Sequence, residues 1–153
     1  MSVADRLVEL GIDIPEVVPP VAAYVPAVVT GRYVYTSGQL PMRDGEMIAA
    51  GLVGADVAPD LAKECARQCA INALAAAQSV VGNLNRVTRV IKVVGFVASA
   101  DGFTGQPAVI NGASELLLDV FGEAGRHARS AVGVAALPIN APVEVEIIFE
   151  VAD

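Results

Sequence analysis

The chain has no tryptophan, one histidine, two cysteines and only 18% charged residues in 153. Each scarcity narrows the chemistry. One histidine, His127, and two thiols four residues apart, Cys65 and Cys69, supply no four-ligand set for a metal. The thiols read as small buried hydrophobes, and two cysteines without an export signal fit a reduced, cytoplasmic protein. A Ser-His-Asp triad would have to use His127, and no G-x-S-x-G turn accompanies it. The glycines are scattered, with neither a P-loop nor a G-x-G-x-x-G after a strand, so nucleotide binding finds little support. Basic residues are also few. Ten against seventeen acids leave a net charge of -7, and Arg86, Arg89 and Lys92 are the densest basic group. Nucleic-acid binding is mostly a cationic effect, and this composition argues against it. The longest charge-free run, Gln68 to Asn85, is interrupted by Asn72, Gln78, Ser79 and Asn83, so it does not read as a membrane span.

What is abundant is apolar surface: 54% of the residues are hydrophobic and mean hydropathy is +0.57. A domain of this size buries roughly 68–70% of its extended-chain surface. The excess points to self-association.

Along the chain, Ser2 to Leu10 reads as a short helix stopped by Gly11, and the proline-rich stretch from Ile14 to Pro26 as an extended arm. Ala27–Val29 and Tyr33–Thr36 form a hairpin around Thr30, Gly31 and Arg32, followed by a long loop from Pro41 to Ala58. Asp60 to Val81 is the longest helix, with Ala62, Ala66, Cys69, Ala73, Ala76 and Val80 on one stripe. Thr88 to Ala98 reads as a strand apolar on both sides, Ile91, Val93 and Val97 against Val90, Val94 and Phe96. A second helix runs from Pro107 to Phe121 and a further β run from His127 to Ala136. After a turn at Pro138 to Pro142, Val143 to Val151 alternates Val143, Val145, Ile147, Phe149 and Val151 against a face bearing Glu144, Glu146 and Glu150. The order β-β-α-β-α-β-β is an α+β fold with a mixed sheet. Two helices cover only one face, so another subunit should cover the other.

Two residues stand out chemically. Arg129 lies in an apolar run and requires an acid partner or an anionic ligand. Glu144 opens an apolar strand and could be that partner, or could lie on a solvated strand face.

Four segments carry a resemblance: Val21 to Tyr24 (VAAY), Tyr35 to Pro41 (YTSGQLP), Ala128 to Val132 (ARSAV) and Leu137 to Glu146 (LPINAPVEVE). Together they resemble the YjgF/YER057c/UK114 family, also called RidA, over a domain at residues 19–153 that residues 1–18 precede as a helix and arm. The resemblance implies a chorismate-mutase-like fold and a homotrimer with ligand clefts between subunits. It also implies hydrolysis of small 2-imino and enamine acids to 2-keto acids and ammonia without metal or cofactor. On this family pattern Arg129 grips the substrate carboxylate and Glu144 positions the attacking water. The Gly38 backbone N–H reaches the carboxylate beside Ser37. Tyr24 and Asn111 line the cleft, and Ala131 contributes its backbone carbonyl. Two other activities are compatible with the same resemblance: non-catalytic binding of small carboxylates, and the endoribonuclease activity ascribed to some members. Neither nucleic acid nor membrane is expected as a partner.

Overall fold

A computed structural model describes residues 1–17, 20 and 22–153 of the chain. Val18, Pro19 and Val21, which belong to the expected arm and to the first family-like segment, lie outside the described residues. The elements are α1 (Val3–Glu9), β1 (Ala27–Thr30), β2 (Tyr33–Thr36), β3 (Met42–Arg43), β4 (Glu46–Met47), α2 (Pro59–Val81), β5 (Val87–Ala98), α3 (Gln106–Phe121), β6 (Ala128–Val134) and β7 (Val143–Val151).

Helix α1 starts where the Ser2 hydroxyl accepts from the Asp5 N–H while the Asp5 carboxylate accepts from the Ser2 N–H, a reciprocal cap that satisfies two otherwise orphaned donors. Its Leu7, with Ile12 beyond it, joins the hydrophobic core. Strands β1, β2, β7, β5 and β6 form one sheet in that order, antiparallel except for the β5–β6 pair. Helices α2 and α3 pack side by side on one face, α2 against the fully buried β7 row of Val143, Val145, Ile147 and Phe149 and α3 over β5 and β6.

Helix α2 is buried through most of its middle because the sheet covers one side of it and α3 another. Asn72 on its outer side donates to the carbonyls of Leu40 and Met42, both at 3.0 Å, and so ties the following segment to the helix. That segment holds β3 and β4, a small hairpin inside what the sequence suggests is continuous loop. The turn is Asp44-Gly45 with φ of 54° and 82°, a pair of left-handed residues of the kind that joins tight hairpins. Val80 is a second departure. It is exposed, and Val81 turns inward instead at the last turn of the helix.

Strand β5 corrects a third expectation. Register shifts against β7 between Val87 and Arg89 and between Val90 and Lys92 reset its alternation. Val90 therefore packs on the helix side with Val93 and Val97, not with Val94 and Phe96. The opposite face, with Val94, Phe96 and Ile148, is only half-covered, and Val28, Tyr35 and Val132 on it are 51%, 45% and 44% exposed. The β6 run is also shorter than expected: His127 precedes the strand.

The helices cross at Gly112, where a Cβ would collide with the Lys63 carbonyl. Gly112→Ala is therefore expected to force α2 and α3 apart and to cost roughly 1–3 kcal/mol. Chemical denaturation measures this, and an unchanged midpoint would contradict so close a crossing.

Candidate functional site

The residues singled out from the sequence fall into two groups. The first is built on Arg129. It pairs with Val93 of β5, whose side chain is fully buried toward the helices, so the guanidinium also points to that side. There α3 presents acceptors along one face. Arg129 Nη1 donates to Asn111 Oδ1 at 2.8 Å and to Ser114 Oγ at 3.1 Å, and Nη2 donates to the Pro107 carbonyl at 3.3 Å. Spacings of four and three put Pro107, Asn111 and Ser114 in one row on the helix. Ala131, two residues along β6, is half-buried on the same side of the sheet. No carboxylate lies within ion-pair distance of Arg129 among the described residues.

The second group is built on Glu144. It pairs with Phe96 and alternates with the buried Val143 and Val145, so its side chain faces away from the helices. The carboxylate lies directly over Gly38, and any side chain there would meet it. Burial, and then the neighbouring Glu146, push the Glu144 carboxyl above its ordinary pKa. Ser37 secures the incoming arm: its hydroxyl donates to the Val25 carbonyl at 2.6 Å and its N–H to the Pro26 carbonyl at 2.8 Å. Tyr24, one residue before that tether, is 58% exposed.

An Arg129–Glu144 ion pair is thereby corrected. The two side chains leave opposite faces of one sheet, on strands separated by β5. One chain brings Arg129, Asn111 and Ala131 together, and separately Ser37, Gly38 and Glu144 with Tyr24 tethered nearby; it does not join the two. A groove of about 310 Å³ between α2 and α3, lined by charged residues such as Asp60, Lys63 and Arg67, contains neither group.

Sequence reasoning missed Ser114, and it considered His127 only as a lone histidine. His127 Nε2 lies 2.8 Å from Ser114 Oγ, and its Nδ1 lies 2.6 Å from the Gly125 carbonyl. The row at 107, 111 and 114 was the available signal. Among the described residues, no three His, Cys, Asp or Glu side chains are grouped to hold a metal ion, and no helix is long and apolar enough to cross a membrane. Cys65 and Cys69 are fully buried under the sheet. Burial chiefly pushes the Cys65 thiol up to about 11 and Cys69 well above its usual value.

A five-stranded mixed sheet covered on one side by two helices defines an α+β fold of the chorismate-mutase-like type. The chain belongs to the family described as "YjgF/chorismate_mutase-like, putative endoribonuclease", whose profile matches residues 4–151. It is 45% identical to Protein TCP17 of Trypanosoma cruzi over 149 residues, 97% of this chain and 93% of that one. The crystal structure of Atu1372 from Agrobacterium tumefaciens is 48% identical and superposes with a TM-score of 0.91, over 98% of this chain and 92% of the other. Escherichia coli TdcF, solved with bound serine, is 26% identical with a TM-score of 0.66, over 90% and 94% of the two chains.

Proposed function

We propose that this protein is a homotrimer that hydrolyses small 2-imino and enamine acids to 2-keto acids and ammonia in clefts shared by neighbouring subunits. The observation that carries the reading is the state of Arg129. Its guanidinium has five N–H donors. Among the described residues three bonds, to Asn111, Ser114 and the Pro107 carbonyl, hold it in place, which leaves two donors and a charge that no carboxylate neutralises. Two donors on a planar cation match one carboxylate. The serine bound to TdcF, an amino acid with such a carboxylate, is in keeping with this.

Imine hydrolysis needs little more. Water adds to the imine carbon while the C=N π pair moves to nitrogen, and Glu144 takes the water proton. From the protonated imine this gives a neutral carbinolamine, which collapses: Glu144 returns the proton to the amine nitrogen, the C–N bond breaks with its electron pair leaving on ammonia, and Glu144 takes the hydroxyl proton as the carbonyl forms. Burial, and then Glu146, raise the Glu144 carboxyl, which favours a group that accepts a proton and returns it. Neither step needs a strong nucleophile.

The opposed directions of Arg129 and Glu144 support a shared cleft, because only a second copy can supply the missing half. The half-covered face with Val28, Tyr35, Phe96 and Val132 offers apolar area for that contact. Light scattering should then give about three chain masses. Arg129→Ala and Glu144→Gln chains, each inactive alone, should regain activity when refolded together. Random mixing places one intact cleft in three-quarters of the trimers, or about a quarter of the wild-type activity. A monomer, or mixtures as inactive as their parents, would refute the shared cleft. Turnover itself is tested by generating the imino acid in situ and following keto-acid release. If 2-keto acids bind but imines are not hydrolysed, the protein is a carboxylate binder. Cleavage of RNA, the activity in the family description, has less support from a chain of net charge -7.

A further inference from the structure

The bonds around Arg129 continue past Ser114, and one assignment of the hydrogens satisfies every partner with a neutral histidine. Ser114 Oγ accepts from Arg129 Nη1, so its own hydroxyl hydrogen must go elsewhere. His127 Nε2, at 2.8 Å, takes it. The Gly125 carbonyl can only accept, so the hydrogen of the neutral ring lies on Nδ1 and Nε2 is left free to accept from Ser114. The result is a one-way chain of donors, Arg129 to Ser114 to His127 to the Gly125 carbonyl.

Its far end is backbone. Gly125 closes the short 3-10 turn after α3, and a Cβ on it would collide with the Leu117 carbonyl. The turn therefore sits directly on the helix that also carries Asn111 and Ser114. A single histidine transmits the position of that backbone to the guanidinium.

We propose that His127 and Ser114 are positioning residues for Arg129: the chain fixes the guanidinium's rotation, so that its two remaining donors meet the ligand carboxylate. This rests on the reading of Arg129 as a carboxylate anchor. Without the chain, the charge stays in place while the fork loses its alignment. Binding weakens without disappearing, and the fold is maintained by the core beneath.

The test is calorimetric titration of pyruvate into the intact protein and five variants, with melting recorded for each. Arg129→Ala should lose binding. Ser114→Ala and His127→Leu should each weaken it roughly ten-fold, the scale of one charge-assisted hydrogen bond. The double variant should be no weaker than the worse single one, since both break one chain. His127→Gln, which can return an acceptor near the Nε2 position, should recover most of the affinity. A purely structural role would lower melting and leave the affinity of folded protein unchanged. Should His127→Leu not fold, Ser114→Ala carries the comparison. Wild-type affinity in Ser114→Ala and His127→Leu, alongside loss in Arg129→Ala, overturns the positioning role and leaves the anchor intact. Multiplicative losses in the double variant also overturn it. Failure of the wild type to bind pyruvate overturns the anchor and the positioning role together.

Discussion

Arg129→Ala should bind 2-keto acids on the order of 10²–10⁴-fold more weakly than the wild type, the expected cost of two hydrogen bonds to a charged partner. Deamination should be lost with it. Arg129→Lys should not restore either, because an ammonium keeps the charge but lacks the planar two-pronged donor. The fold should tolerate both changes. Arg129 is half-buried and bonded to neutral acceptors that water can also satisfy, so removing it should cost only about 1 kcal/mol. Breaking a buried ion pair would cost about 3–5 kcal/mol. Titration of pyruvate and thermal melting of the same samples separate these cases. Normal binding by folded Arg129→Ala would remove the carboxylate anchor.

The second large effect concerns Glu144. Glu144→Gln keeps the shape over Gly38 and removes the proton acceptor. Turnover should fall roughly 10²–10⁴-fold, as for loss of a general acid–base group, while pyruvate binding survives. Stability should move the other way. Burial and Glu146 raise the carboxyl's pKa in the folded protein, so the ionised form is disfavoured there relative to the unfolded chain. The protonated form's contribution to stability is fully present below the unfolded value and is lost as pH rises through the raised one. Glutamine does not ionise. The variant should therefore melt above the wild type at neutral pH, and this advantage should fade on acidification below the ordinary glutamate range. Unchanged turnover would reduce Glu144 to a residue of the strand face. Lower stability at neutral pH would mean that its carboxylate is held by favourable contacts.

The sequence made some of this legible and concealed the rest for identifiable reasons. β7 was readable because its apolar row, Val143, Val145, Ile147, Phe149 and Val151, alternates without interruption and the observed burial follows it. β5 was readable as a strand but not as a pair of faces. Its register shifts depend on pairing with β7, more than fifty residues away, and no local periodicity contains them. The β3–β4 hairpin had its signal in Asp44-Gly45, obscured by strands of two residues each. Arg129 and Glu144 were recognisable as chemically odd residues from their neighbours alone. Their opposed directions follow from the strand order β7-β5-β6, which is a tertiary fact. His127 and Ser114 are thirteen residues apart and meet only because the turn at Gly125 folds back on α3.

The two thiols beneath the sheet carry a different consequence. Cys65 and Cys69 are fully buried and resist ionisation, so a water-soluble thiol reagent meets no reactive sulfur while the fold is closed. Modification must await an opening that lifts α2 from β7, where Cys69 Sγ faces the Val143 carbonyl at 3.8 Å. The chain thus contains its own clock for cooperative opening: with reagent in excess, the labelling rate reads how often the core exposes itself, with no dye or tag added.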